Sequence, residues 1–139
     1  MSIHQHEFTI TTRGRGIYPI TRQVQQWVSE QKVEQGLLNL FVQHTSCSFI
    51  IQENADPDVL RDMETFMQQL VTDGDPRFLH RDEGPDDMSA HIRMALTQVS
   101  LQVPVQHSRL GLGTWQGIYL YEHRYHHMNR RITLTFLGE

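Results

Sequence analysis

The run HRDEGPDDMSAHI, from His80 to Ile92, gathers two histidines and four carboxylates around a Gly-Pro turn. Imidazole and carboxylate are the main protein groups for holding metal ions and moving protons, so His80, Asp82 and Glu83 stand out as candidate catalytic residues. Asp86 and Asp87 have a competing role. They precede an apolar helical pattern and suit the start of that helix, where a carboxylate caps free N–H groups and complements the dipole.

Three other motifs place reactive groups at element edges. His44-Thr45-Ser46 joins two apolar strands, Thr114-Trp115-Gln116-Gly117 opens a third, and Glu122-His123-Arg124 closes it. Histidines from separate elements can assemble an open zinc site with three protein ligands, and His44, His91 and His123 are the candidate set, although no HxxxH spacing is present. The carboxylates of the acidic run suit Mg2+ instead, because it prefers hard oxygen ligands. Arg109 and Arg124 are candidate contacts for an anion, since guanidinium matches phosphate oxygens. Thr45, Ser46, Asn54, Thr114 and Gln116 complete the candidate substrate contacts. His4, His6, His107, His126 and His127 read as surface residues, Trp115 as a core residue and Cys47 as a small buried one.

The elements that must position these groups follow from periodicity. Phe8, Ile10 and Thr12 alternate as a strand that ends in a flexible Arg13-Gly14-Arg15-Gly16 stretch. A helix is predicted from Thr21 to Glu34, with Val24, Trp27 and Val28 on one face and Gly36 as its stop. Leu37 to Val42 reads as a buried strand and Ser48 to Glu53 as its neighbour. Asp56-Pro57 starts a second helix that buries Val59, Met63, Phe66, Met67 and Leu70. After a loop from Thr72 to Pro85, a third helix from Asp86 to Thr97 is predicted to bury Met88, Ile92 and Ala95 or Leu96. Val99 to Val105, Gly113 to His123 and Ile132 to Leu137 read as strands. The order β-α-β-β-α-α-β-β-β predicts a single α+β domain with a largely antiparallel sheet and three helices.

The bulk properties limit the function. A chain of 139 residues suits one domain, and no apolar tract is long enough to span a membrane. The N-terminus lacks the apolar core of a secretory signal, and a single cysteine excludes an intrachain disulfide; both suit the cytoplasm. The formal charge of -4 is unevenly spread: residues 53 to 87 hold eleven acids against three bases, a local -8. That argues against a nucleic-acid surface, which needs a basic stripe, but admits a small anionic substrate met by a metal or a few arginines.

Taken in order, QHTSCSFIIQENADPDVLRDM, HRDEGPDDMSAHIRMAL and LGTWQGIYLYEHR resemble the YjbQ family across nearly the whole chain. One departure is Ser108 before Arg109, where the family tends to carry glycine. The resemblance implies a compact α+β fold, a homotrimer, and histidine and acid motifs near subunit boundaries. It also implies a secondary thiamine-phosphate synthase activity, joining a pyrimidine methyl diphosphate to a thiazole phosphate with release of diphosphate. Mg2+ on the carboxylates would assist that departure. A zinc ion on the histidines would serve hydrolysis at least as well, so a metal-dependent hydrolase is the alternative. A non-catalytic trimer that binds a phosphorylated metabolite is a third.

Overall fold

Leu38, Leu40 and Val42 on one strand and Ile132, Leu134 and Phe136 on another give each strand one face to bury, and two facing sheets supply the burial. The computed structural model describes residues Met1–Glu139. In chain order the elements are β1 (Ser2–Arg13), β2 (Gly16–Pro19), α1 (Thr21–Glu30), β3 (Gln35–Val42), β4 (Cys47–Glu53), α2 (Pro57–Leu70), α3 (Asp87–Ala95), β5 (Ser100–Gln106), β6 (Arg109–Leu110), β7 (Gln116–Glu122) and β8 (His127–Gly138). The larger sheet has the order β1-β8-β3-β5-β6 and the smaller β2-β7-β4, with every pairing antiparallel. The predicted α+β domain with three helices is observed, but its strands divide between two sheets.

Residues from both sheets and from α1 share one core, in which Ile20, Val24 and Val28 meet Leu38, Phe49, Leu120 and Ile132. The outer face of the small sheet carries Ile50, Tyr119 and Tyr121, against which Leu60 and Met63 of α2 pack. The outer face of the large sheet has no helix of its own. There Leu37 pairs with Pro104 and Leu137, and Leu37, Phe41 and Leu137 stay exposed.

Several predicted details are corrected. The Arg13-Gly14-Arg15-Gly16 stretch is a tight turn carrying the chain between sheets. Gly14 takes the left-handed conformation, the Tyr18 hydroxyl donates to Gly14 O, and the Arg13 N–H donates to Tyr18. The turn leads into β2, a strand not predicted. Helix α1 stops at Gln31, with Lys32 in the left-handed position, rather than at Gly36. Gly36 lies in β3 opposite Gly138, where a Cβ would stand 2.3 Å from Leu137 O.

Asp56 caps α2 as expected, its side chain accepting from Asp58 N with Pro57 in the first turn. Yet none of that helix is fully buried, and Phe66 is 64% and Leu70 57% exposed. Helix α3 reverses the predicted pattern: it buries Asp87, Ser89, Ala90 and Arg93, while Leu96 is exposed. Charge pairing beneath the helix, rather than apolar contact, decides which face turns inward. No helix is long and apolar enough to cross a membrane.

Candidate functional site

Asp87 opens α3 and His91 follows one turn later, so the i, i+4 spacing sets both on one face of the helix. The loop before α3 brings in His80. Both histidines converge on one carboxylate oxygen: His80 Nε2 lies 2.6 Å and His91 Nε2 3.1 Å from Asp87 Oδ2, with ring centroids 5.6 Å apart. One ligand atom from each residue lies within 4.8 Å of the other two.

The tautomer of His91 follows from its other nitrogen. Nδ1 is 2.7 Å from Thr45 O, and since a carbonyl only accepts, Nδ1 carries the hydrogen. In the neutral ring Nε2 then presents a lone pair to Asp87 Oδ2, another lone-pair atom. Such a contact repels unless a positive charge joins it, and either a second ring proton or a metal ion supplies that charge. Ligand atoms of a tetrahedral zinc stand about 3.3 Å apart, near the 3.1 Å from His91 Nε2 to Asp87 Oδ2 and wider than the 2.6 Å from His80 Nε2. Two imidazoles and one carboxylate suit Zn2+ or a similar first-row ion. They do not suit Mg2+, for which the cluster offers a single oxygen-bearing side chain.

Arg124 holds Asp87 in place. Its Nη1 donates to Asp87 Oδ1 at 2.6 Å, Nε to Asp86 Oδ2 at 3.0 Å and Nη2 to Glu83 O at 2.8 Å. Tyr125 N adds a bond to Asp86 Oδ2 at 2.9 Å. Burial alone would raise both carboxyls. For Asp86 the bonds from Tyr125 and Arg124 outweigh it, and for Asp87 His80, Arg124 and His91 do so, holding both below the ordinary carboxylate range. With its three nitrogens engaged, Arg124 positions the site rather than awaiting an anion. Asp86 makes no side-chain cap to α3, so its predicted role in starting that helix is replaced by this one.

The other predicted residues lie elsewhere. His44 Nε2 accepts from Arg131 N at 2.8 Å, and partial burial with the charges of Arg130 and Arg131 lowers its pKa. His123 is fully buried: Nδ1 accepts from Arg93 Nε, so Nε2 donates to Ser48 Oγ at 2.8 Å. Of the expected zinc set His44, His91 and His123, only His91 joins the cluster: His123 has both ring nitrogens bonded within the core, and His44 turns its Nε2 to Arg131 N instead.

Asp82 is exposed on the loop, and the exposed Glu83 carboxylate reaches only to 4.0 Å from Arg124 Nη1. Thr45 contributes its carbonyl, and Ser46 is buried beneath Arg130, which donates to Ser46 Oγ at 2.9 Å. Asn54, Thr114 and Gln116 sit at the far end of the β4–β7 ladder, roughly 20 Å from the Cys47–Glu122 end. There Asn54 Nδ2 donates to Thr114 O and Gln116 O, and Gln116 Oε1 accepts from Gly113 N. Trp115 between them is 63% exposed rather than core, and Arg109 is exposed on β6 at a sheet edge. Asp87 reads from sequence chiefly as a helix-start residue and, with the other carboxylates of the run, as a Mg2+ ligand, not as the partner of two histidines. Its D-x-x-x-H spacing to His91 is the signal that could have found it.

Comparison with known proteins agrees along the whole chain. Residues 6–139 match the family model described as UPF0047 protein YjbQ-like. A UPF0047 protein of Synechocystis is 47% identical over 136 residues, covering 98% of this chain and 92% of that one. The UPF0047 protein YjbQ of Escherichia coli O157:H7 is 41% identical over 137 residues, covering 98% and 99%. Among solved structures, a hypothetical protein of Aeropyrum pernix K1 superposes with a TM-score of 0.88 at 31% identity, covering 98% and 99%. A conserved hypothetical protein of Thermus thermophilus does so with 0.85 at 32%, covering 95% and 99%. Motifs, fold and relatives agree that the chain belongs to the UPF0047 YjbQ-like family.

Proposed function

We propose that this protein is a metal-dependent enzyme acting on a small phosphorylated compound, with His80, Asp87 and His91 as ligands of a zinc-like ion. The convergence of two imidazole nitrogens on Asp87 Oδ2 carries the reading. When bound, such an ion supplies Lewis acidity to a phosphoryl oxygen or to a water molecule. The protein's own part is orientation: Thr45 O fixes the His91 tautomer, and Arg124 holds Asp87 Oδ1 so that Oδ2 faces the histidines.

Two reactions fit this centre. Thiamine-phosphate synthase chemistry, implied by the resemblance, needs the charge of departing diphosphate neutralised while a C–N bond forms at the pyrimidine methylene. Hydrolysis of a phosphorylated substrate is the second reading, favoured by a nitrogen-rich donor set that suits zinc over Mg2+. Incubation of zinc-loaded protein with both synthase precursors, beside a set of phosphomonoesters, separates them. Thiamine phosphate formed by wild type and lost in Asp87→Asn supports transfer, whereas inorganic phosphate released without it supports hydrolysis. Neither product above the variant's background contradicts the enzyme reading and favours a binding protein.

The proposal includes a homotrimer in the cytoplasm. The uncovered face with Leu37, Phe41 and Leu137 supports self-association, and the lone buried Cys47 suits a reducing compartment. Sedimentation equilibrium should return three times the 16.3 kDa chain mass, and a monomer at micromolar concentration would contradict the trimer.

A further inference from the structure

The loop between α2 and α3 closes on itself. Gly74 N donates to Pro85 O at 2.9 Å, Phe78 N to Asp75 O at 3.0 Å and Gly84 N to Arg81 O at 3.3 Å. It borders a half-open cavity of about 260 Å³ with Phe78 and Pro85 among its walls, and with His80, a residue of the proposed metal centre, as another. The two charged residues lining it differ in how far they are compensated. Asp75 accepts from Arg77 N and Nε through Oδ1 and from Arg77 Nη2 through Oδ2, so its charge is matched. Arg81 donates from Nε to Phe78 O and from Nη2 to Pro76 O, both at 2.8 Å. Those partners are neutral carbonyls. They fix the guanidinium without cancelling its charge, and Nη1 has no protein partner.

An uncompensated guanidinium already held in one orientation loses little further entropy on binding an anion, and its planar N–H groups match phosphate oxygens. The cavity has room for a phosphate group with a small attached fragment. We infer that this cavity is an anion subsite for a phosphomonoester or diphosphate, with Arg81 as the residue that selects phosphate-bearing substrates and His80 joining the subsite to the metal centre. The inference rests on reading His80, Asp87 and His91 as that centre. It also moves the anion contact from Arg109 and Arg124, neither of which lines this cavity, to a residue the sequence motifs did not single out.

Titration of inorganic phosphate into zinc-free, 15N-labelled full-length protein tests it. Saturable amide shifts are expected at Gly74, Arg81 and Gly84, with affinity about 10-fold weaker in Arg81→Gln. Absence of saturable shifts at these amides in the wild type overturns the inference, as does equal phosphate affinity in a folded Arg81→Gln variant. Zinc binding, measured separately by calorimetry, should be unchanged in that variant. Phosphate binding without any zinc binding would instead refute the metal centre and leave the anion site standing, so the two failures are distinguishable.

Discussion

At the scale of single residues, the division between site and scaffold is set by what each histidine Nε2 faces. His80 and His91 aim Nε2 at one carboxylate oxygen, whereas His44 turns its Nε2 to Arg131 N and His123 has both nitrogens bonded, to Arg93 and Ser48. The sequence reveals the acidic run and both useful histidines. It hides Arg124 as their support, because a bond between residues 37 positions apart leaves no local pattern. His123 has a separate consequence. Burial, reinforced by the charges of Arg93, Arg15 and Arg130, pushes its pKa down to about 2, against 6.5 in the open chain. Between those values the unfolded chain binds a proton that the native protein refuses, so this contribution to stability is full above the ordinary value and declines as pH falls. Urea unfolding should show stability falling by up to about 1.4 kcal/mol per pH unit below roughly pH 6 from this group. A His123→Gln variant should have a shallower slope between pH 7 and 5, and an identical slope would contradict the assignment.

At the scale of elements, apolar periodicity finds every helix and the long strands, but it misjudges what buried polar groups do. Helix α3 turns Asp87, Ser89 and Arg93 inward because Arg124, Asp73 and Glu64 wait there as partners, and no count of apolar spacings contains that fact. Strand β2 escapes the pattern because four residues after an Arg-Gly repeat carry too little alternation to register. The end of α1 falls short of the expected stop because Lys32, not a glycine, takes the left-handed position at φ 56°. Lysine bears a steric cost there that glycine avoids. Lys32→Gly is therefore expected to stabilise the protein by about 0.5–1 kcal/mol in chemical denaturation, and a loss of stability would show that the lysine is held by something more. Ser108 presents the same conformation, at φ 59°. Its hydroxyl donates to Val33 O, which anchors the turn.

At the scale of the whole molecule, two antiparallel sheets share one core, and a buried ion pair ties that core to the site. The Arg130–Glu122 pair accepts Thr12 and the Arg124 backbone N–H through Glu122, and Arg130 reaches Ser46, the neighbour of the Thr45 carbonyl that orients His91. Removing one partner would leave the other charged and buried. Glu122→Gln should thus cost about 3–5 kcal/mol of stability in urea unfolding, and a cost below about 1 kcal/mol would mean that the pair is not isolated from solvent. The α+β class and the long strands are legible in the alternation, while the short β2 and β6, the order of strands within each sheet and the split into two sheets depend on long-range pairing. If His80, Asp87 and His91 form one centre for a zinc-like ion, as proposed, calorimetric titration of Zn2+ into untagged protein reads it out. One ion per chain is predicted for the wild type and for His44→Ala, with affinity lowered more than about 100-fold in Asp87→Asn and His91→Ala. Equal zinc affinity in all four proteins, or no binding by the wild type, would contradict it.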